Sequence, residues 1–313
     1  MSPIEPSPTG VLQVCHPDWR GVRAAAEAFG DPVLVASNLT ALTDPMVTMA
    51  NPPAMVVVQG WPPGAASFVR AIHARGIPAA AVFHSSPAQH GIDGGEAAAV
   101  ADMLELARSG SLARVGTVKA GVEGAFRSLG FDVWHVPNRV PVVPDTVPAP
   151  VPDGTNAGIF LAPIWRKNVT TQVLAVMRNG WRPHVMELPD VRYLPADAVT
   201  SWGEMGRDGL LAAQAAMDIA FNVTLSECHP MMPMEAYRLG VPCLMSRTSD
   251  LFASNADLYE ATTVAEVDNI DAVALAADRL LAAREQIVIA ANAELDRIDE
   301  TGRTRWMEFT NRG

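Results

Sequence analysis

Residues 217–246 read MDIAFNVTLSECHPMMPMEAYRLGVPCLMS, and this stretch decides the predicted fold. The run 218–225 is apolar and β-branched and ends in turn-forming residues, which is typical of a buried parallel strand. From Met231 to Leu239 the pattern becomes helical, with Pro233 in the first turn and Gly240 just after the last. The apolar run VPCLMS follows as the next strand. A strand, a helix and a second strand in this order predict a parallel α/β sheet.

Two glutamates flank the start of this predicted helix. Glu227 follows the first strand and therefore lies at the carboxyl end of the sheet, where open α/β sheets bind ligands. Glu235 is expected about two turns along the helix. The N–H groups of a first helical turn attract phosphate, and carboxylates accept hydrogen bonds from sugar hydroxyls. The pair fits a nucleotide sugar; the alternative is a helix-capping acid and a second one solvated on the surface.

The alternation of strand and helix patterns runs through most of the chain. It stops at PNRVPVVPDTVPAPVP, residues 137–152, where recurring prolines exclude a helix or a central strand and indicate an extended connector. The pattern then restarts. The predicted organisation is a mobile start over 1–10, an N-terminal domain over 11–138, a linker over 139–155, a C-terminal domain over 156–295 and a last helix over 296–313.

Composition excludes several classes of function. A chain of 313 residues with a formal net charge of -11 has no general attraction for nucleic acid or anionic lipid. The three cysteines, Cys15, Cys228 and Cys243, form no CxxC pair, which argues against zinc or redox chemistry and for a reducing compartment. The start lacks the pattern of a signal peptide, and no apolar run approaches the roughly 18 residues of a membrane span. We expect a cytoplasmic protein.

The order strand, Ser-Glu, proline-containing loop, Glu-Ala, Leu-Gly-Val-Pro and strand resembles the donor-binding E-x7-E signature of retaining glycosyltransferases of family 4. The resemblance implies the α/β GT-B fold, in which two Rossmann-like domains with parallel sheets face an interdomain cleft. It also implies that the last helix returns to the N-terminal domain, with Trp306 and Phe309 as anchors. Such enzymes move a hexosyl or pentosyl group from a nucleoside diphosphate to an acceptor.

The same resemblance implies roles for individual residues. Glu235 would bind the ribose hydroxyls, and Glu227 would contact the transferred sugar. Lys167, in APIWRKN after the first strand of the second domain, would neutralise the diphosphate. The N–H groups at the helix start, Met231 and Met232, would bind the same diphosphate.

Two positions depart from the family pattern. The family has an arginine five residues before the lysine, where this chain has Ala162. Arg166 is a candidate replacement, although neighbouring residues on a helix point in different directions. The Gly-Phe-Gly common between the glutamates is replaced here by residues 228–231, which lack glycine's conformational freedom. His229 in this loop is either a ligand of a phosphate or sugar hydroxyl or a polar surface residue.

The resemblance also implies a histidine near the reacting sugar. In PAAAVFHSSPAQH, His84 ends a predicted strand of the first domain, and Ser85, Ser86 and His90 share its loop as candidate acceptor contacts. The alternative is a structural histidine. The spacing of histidines and cysteines matches no zinc site, and the Asp-x-Asp metal motif of the other large glycosyltransferase fold does not occur. We therefore expect no metal requirement and no cofactor besides the donor substrate.

The sequence leaves two further functions open. One is a nucleotide-sugar 2-epimerase of the same fold, which needs no acceptor. The other is a non-catalytic nucleotide-sugar-binding protein, an alternative prompted by Ala162 and the missing loop glycines. The acceptor of a transferase is not encoded in any motif; a small molecule, a protein and a modified nucleic acid are the candidates, and the acidic charge counts against the last.

Overall fold

The structure, a computed structural model, describes residues 10–188, 191–195 and 197–310. The predicted mobile start lies outside these residues except for Gly10. The described chain divides into an N-terminal unit, residues 10–141 with 298–310, and a C-terminal unit, residues 142–297. The division falls inside the stretch predicted as a linker.

The N-terminal unit contains six parallel strands among its described residues. They are β1 (Val11–Cys15), β2 (Val33–Val35), β3 (Met55–Gln59), β4 (Ala79–Phe83), β5 (Arg114–Thr117) and β6 (Val133–His135). Their order is β2-β1-β3-β4-β5-β6. The helices of this unit are α1 (Arg20–Ala28), α2 (Thr43–Val47), α3 (Ala65–Ala74), α4 (Pro87–His90), α5 (Gly94–Arg108) and α6 (Val122–Ser128).

The central strands of this sheet are buried on both faces, which explains their nearly unbroken apolar sequences. One face supplies alternate residues of β1, β3 and β4 to the main apolar cluster of the unit, among them Val14, Val58 and Phe83. The parallel register pairs Gln13 with Val57 and Gln59 with Val82, which places both glutamines on the other face. Two amides are therefore buried within an apolar sheet.

The C-terminal unit has the same construction with a different strand order. Its described strands are β7 (Asn156–Ile159), β8 (Arg182–Val185), β9 (Thr200–Ser201), β10 (Ile219–Asn222), β11 (Cys243–Ser246) and β12 (Thr263–Val264). They are parallel, in the order β12-β11-β10-β7-β8-β9. Its helices are α7 (Val169–Arg178), α8 (Arg207–Ala215), α9 (Met231–Arg238), α10 (Ala256–Thr262), α11 (Ile270–Ala282) and, up to residue 297, α12 (Arg284–Phe309).

The strand orders locate the expected ligand edges. In the C-terminal unit the chain builds outward from β7 to β9 on one side and then from β10 to β12 on the other, so the order reverses between β7 and β10. In the N-terminal unit the reversal lies between β1 and β3. Ligands of open α/β sheets bind beyond the carboxyl ends of the strands at such a reversal. A ligand site of the C-terminal unit is therefore expected at the loops after β7 and β10.

The last helix, α12, begins at Arg284, earlier than the predicted residue 296, and its end belongs to the N-terminal unit. Trp306 is buried there, stacks on Phe29 with ring centroids 4.1 Å apart and donates its indole N–H to Asp31 Oδ2 at 2.7 Å. The Arg139 side chain forms two hydrogen bonds to the Asp299 carboxylate. These contacts attach the second half of α12 to the N-terminal unit. Over the part of the chain described, no helix is long and apolar enough to cross a membrane.

Candidate functional site

Lys167 and Glu227 meet at the reversal point of the C-terminal sheet. Lys167 ends a 3-10 turn, Trp165–Lys167, that follows β7, and Glu227 lies in the loop between β10 and α9. Lys167 Nζ donates to Glu227 Oε2 at 2.5 Å, and both side chains are largely buried. The other carboxylate oxygen accepts the backbone N–H of Cys228 at 3.2 Å. Two residues 60 positions apart thus form one ion pair at the expected ligand edge.

Hydrogen bonds between the two loops fix this pair. The Leu225 N–H donates to Arg166 O at 2.9 Å, which joins the loop after β10 directly to the 3-10 turn. Gln172, buried in α7, donates to Lys167 O and accepts the Val223 N–H. Lys167 and Glu227 therefore lie on two loops that are hydrogen-bonded to each other and to α7.

Asn168 makes the turn from Lys167 into α7. Its φ is +53°, in the left-handed region that asparagine tolerates better than most residues. Its side-chain amide donates to Val223 O and Val267 O, the second at 2.7 Å. The reversal at Asn168 lets Lys167 end the 3-10 turn while α7 begins at Val169.

The electrostatics favour an ionised Glu227. Burial raises the pKa of its carboxyl, but the charge and hydrogen bond of Lys167, the charge of Arg166 and the Cys228 N–H outweigh burial, so the pKa lies below its ordinary value. Arg166 therefore acts on the same carboxylate as Lys167, although the two are sequence neighbours.

Glu235 pairs with a different cation from Glu227, the guanidinium of Arg207. It lies four residues after the start of α9, a little over one turn and about 6 Å along the axis, so the expectation of two turns is wrong. Its Oε1 pairs with Arg207 at 3.2 Å. Burial raises the pKa of the Glu235 carboxyl and the charge of Arg207 partly offsets that rise. Glu235 is buried, which excludes a solvated surface role.

The start of α9 is built without a side-chain cap. Pro230 is the N-cap residue and has no side-chain acceptor, and Pro233, the third helical residue, has no N–H. Among the first three helical residues, Met231 and Met232 alone carry backbone N–H groups. None of residues 228–231 has a positive φ, so the loop bends without glycine-like conformations. His229 is buried, which excludes the surface role considered for it.

In the N-terminal unit, His84 directly follows β4 and is half-buried. Its Nε2 lies 2.8 Å from Gln59 Oε1, and burial lowers its pKa to about 4. In the segment that follows His84, Ser85 Oγ lies 3.0 Å from His90 Nε2, and burial lowers the pKa of His90, with Glu96 acting in the opposite direction. Ser86 caps α4 with Gln89. His84 and its loop thus form a polar group at the carboxyl edge of the first sheet.

Several residues of these sites were not predicted from the sequence. Arg207 is the first residue of α8, where a cation interacts unfavourably with the helix dipole. An arginine at this position therefore indicates an anionic partner. Gln13 and Gln59 are single amides in otherwise apolar strands, a pattern that marks buried hydrogen bonds, whereas Gln172 follows two threonines in α7 and carries no such signal. A polar residue in an apolar strand was the available signal.

The described residues contain no group of three or more His, Cys, Asp or Glu side chains placed to bind a metal ion. Cys15, Cys228 and Cys243 are buried and form no disulfide bond. The polar groups at the ligand edges of the two units are carboxylates, cations, hydroxyls and imidazoles. This set suits hydroxyl-rich and anionic ligands.

No protein-family model matches the sequence, and no curated protein gives a significant match. Solved structures do match. HepE of Anabaena, in complex with UDP, is 12% identical with a TM-score of 0.65, over 95% of this chain and 98% of that one. The apo structure of OtsA is 10% identical with a TM-score of 0.63, over 96% and 98%.

A UDP-forming trehalose-phosphate synthase of Burkholderia xenovorans is 12% identical with a TM-score of 0.61, over 87% of this chain and 77% of that one. At these identities the likeness is one of fold. The chain has the GT-B fold, with two Rossmann-like α/β domains, and the fold class predicted from the sequence is confirmed.

Proposed function

We propose that this protein is a retaining glycosyltransferase that moves a sugar from a nucleoside diphosphate to a soluble acceptor. The observation that carries the proposal is the Lys167–Glu227 pair at the reversal point of the C-terminal sheet, beside the start of α9. A fixed cation, two backbone N–H groups and a carboxylate at one sheet edge match the parts of a nucleotide sugar. The GT-B fold is consistent with this use of the edge.

The diphosphate is the part of the donor that the cation serves. When the bond to the sugar breaks, negative charge develops on the leaving diphosphate, and a preorganised cation and N–H groups lower the barrier. In the proposed mechanism the Lys167 ammonium donates hydrogen bonds to the phosphate oxygens and interacts less with Glu227. The Glu227 carboxylate then has acceptor sites for hydroxyls of the transferred sugar.

The ribose is assigned to Glu235. Its Oε1 already pairs with Arg207, but a carboxylate has about four lone-pair sites, so hydrogen bonds from two ribose hydroxyls remain compatible with that pair. Because burial raises the pKa of Glu235, Arg207 is needed to favour the ionised acceptor form. Arg207 therefore enters the proposed site as the residue that positions Glu235.

The absent arginine at Ala162 motivates the second candidate, a non-catalytic nucleotide-sugar-binding protein. Arg166 is the candidate replacement for that arginine, since its charge acts on Glu227 together with that of Lys167. In the transferase the acceptor attacks from the face that the diphosphate leaves, and the leaving phosphate takes the acceptor proton. Neither step uses a protein nucleophile or a metal ion, and we place the reaction in the cytoplasm.

The choice of first donors follows from the structural matches. One of these structures contains UDP and another enzyme is described as UDP-forming, which makes uridine diphosphate sugars the first to test. The purified protein would be screened with UDP-, GDP-, ADP- and dTDP-sugars for thermal stabilisation and then, with an acceptor panel, for transfer detected by mass spectrometry. Inverted sugar from donor alone would identify an epimerase instead.

Variants separate enzyme from binding protein. Lys167→Ala and Glu227→Gln are expected to abolish transfer, whereas Arg178→Ala, which removes an exposed ion pair to Asp271 in the same unit, should retain it. Binding of a nucleotide sugar without transfer or hydrolysis would favour the non-catalytic alternative. Transfer that is undiminished in both site variants would contradict the proposal.

A further inference from the structure

A buried chain of hydrogen bonds ends at His84. Gln13 Nε2 donates to Ala26 O at 2.7 Å, Gln59 Nε2 donates to Gln13 Oε1 at 2.7 Å, and Gln59 Oε1 lies 2.8 Å from His84 Nε2. Both glutamines are fully buried. The chain crosses β1 and β3, the two strands at the order reversal of the N-terminal sheet, and reaches the end of β4.

The carbonyl oxygen of Ala26, at one end of this series of hydrogen bonds, fixes the orientation of both glutamine amides. A backbone carbonyl can only accept, so the Gln13 side chain must direct its NH₂ group to Ala26 O and its oxygen to Gln59. Gln59 must then direct its NH₂ group to Gln13 and its oxygen to His84. His84 Nε2 is therefore the donor, because two acceptors cannot share a hydrogen bond. The neutral ring then carries its lone pair on Nδ1.

We propose that Gln13 and Gln59 are positioning residues that keep His84 in the Nε2–H tautomer, so that Nδ1 accepts a hydrogen bond from a hydroxyl of a neutral, hydroxyl-rich ligand. The site is the carboxyl edge of the N-terminal sheet. A phosphate oxygen would bring only lone pairs toward Nδ1 and is disfavoured. Burial opposes protonation of the ring, since it lowers the pKa of His84 to about 4. The tautomer follows from geometry alone; the identification of the ligand as a sugar rests on the proposed function.

Stability alone does not require this arrangement. Replacing both members of a buried hydrogen bond by apolar groups of similar shape can be nearly neutral. Gly60, directly after Gln59, adds a second constraint, since its φ is +70° and a Cβ there would lie 2.7 Å from the Trp19 ring. The end of β3 is therefore fixed in backbone as well as in side chain, as a positioning role demands.

The primary test reads the tautomer directly. Nitrogen NMR of the full-length protein labelled with ¹⁵N-histidine, with His84 assigned from its missing signals in His84→Gln, should show a protonated Nε2 and an unprotonated Nδ1 between pH 6 and 8. A protonated Nδ1, or two nitrogens with averaged shifts, would overturn the proposal. The measurement needs no ligand, so its result stands even if no glycosyl transfer is found.

Two variants test whether the glutamines cause the effect. Gln59→Met removes the acceptor of His84, and Gln13→Met removes the orientation of Gln59 while the contact to His84 remains. In both, the His84 nitrogens should shift toward tautomer averaging; Gln214→Met, a buried glutamine of the other unit, should leave them unchanged. An unchanged single tautomer in the folded Gln13 or Gln59 variant would refute the positioning role. If one variant fails to fold, the other decides.

A second pair of variants tests the use of Nδ1. Asparagine places an oxygen near the Nδ1 position, whereas glutamine places its NH₂ group near Nε2 and supplies no acceptor at Nδ1. With the donor and acceptor found in the transfer screen, His84→Asn should keep at least about tenfold more kcat/KM than His84→Gln. Equal losses, or the reverse order, would contradict the assignment of Nδ1 as the ligand-binding atom.

Discussion

Replacement of Lys167 by methionine removes the cation of the central ion pair and leaves the Glu227 carboxylate buried. At 2.5 Å and an effective dielectric constant of about 20, the pair attracts by roughly 7 kcal/mol before desolvation is subtracted. Removal of one partner of a buried pair costs about 3–5 kcal/mol. Since the two side chains are 16% and 12% exposed, we expect about 3 kcal/mol less unfolding free energy at pH 7.

The sign of the pH dependence distinguishes this cause from a general packing loss. In the unaltered protein the Glu227 pKa lies below its ordinary value, so the pair stabilises the fold above the unfolded pKa and is lost as the pH falls through the folded pKa. Without Lys167, burial is the largest influence left and raises that pKa. Protonation of Glu227 then removes the unpaired buried charge of the variant. The difference in unfolding free energy between the variant and the unaltered protein should therefore shrink from pH 7 to pH 4.5.

Amide hydrogen exchange of β10 is the assay, because it reports the opening free energy of the C-terminal unit alone. The double variant Lys167→Met/Glu227→Gln should recover a large part of the lost stability. The control Arg178→Met breaks an exposed pair and should cost less than about 1 kcal/mol. Additive costs in the double variant, or a cost independent of pH, would refute the reasoning.

Two further predictions concern stability. His184 is buried between Asn156 and the indole N–H of Trp202, and burial, helped by the Arg182 charge, lowers its pKa to about 4. About 3 kcal/mol of unfolding free energy should be lost as the pH falls from 6.5 to 4, and equilibrium denaturation of His184→Gln should show a correspondingly smaller pH slope. Gly64→Ala places a Cβ 2.2 Å from Asn38 Oδ1 at a φ of +78°. Gly76 has the same φ, but a Cβ there would meet no atom within 4 Å, so Gly64→Ala should lower the melting temperature clearly more than Gly76→Ala. Equal decreases in melting temperature would contradict this.

The sequence predicted the fold class because its strongest signals are local. The run from Asp218 onward and the helix to Arg238 carry strand and helix patterns that need no tertiary information, and Gly240 marks the helix end with a φ of +77°. Strand order was not predictable in this way. Nothing in the sequence shows that β2 and β3 pair with opposite edges of β1, since every central strand is equally apolar.

The candidate site was predicted in part for the same reason. Lys167 and Glu227 each follow an apolar strand, and adjacent parallel strands bring their ends to one edge. The partner of Glu235 was not predicted, because Arg207 comes from another helix and no local pattern links the two. The glutamine chain to His84 was missed because its hydrogen bonds join strands 46 and 25 residues apart. Pairings of this kind depend on register, which the sequence leaves open.

The most direct test of the central claim is calorimetric titration of nucleoside diphosphates, UDP first and then GDP, ADP and dTDP, into the unaltered protein and its Lys167→Met variant. At least one diphosphate should bind the unaltered protein and bind the variant roughly 10- to 100-fold more weakly, as expected for the loss of a charged hydrogen bond. Arg178→Met should bind like the unaltered protein. Binding of equal strength in the Lys167 variant, or no binding of any diphosphate, would contradict the assignment of this edge as the donor site.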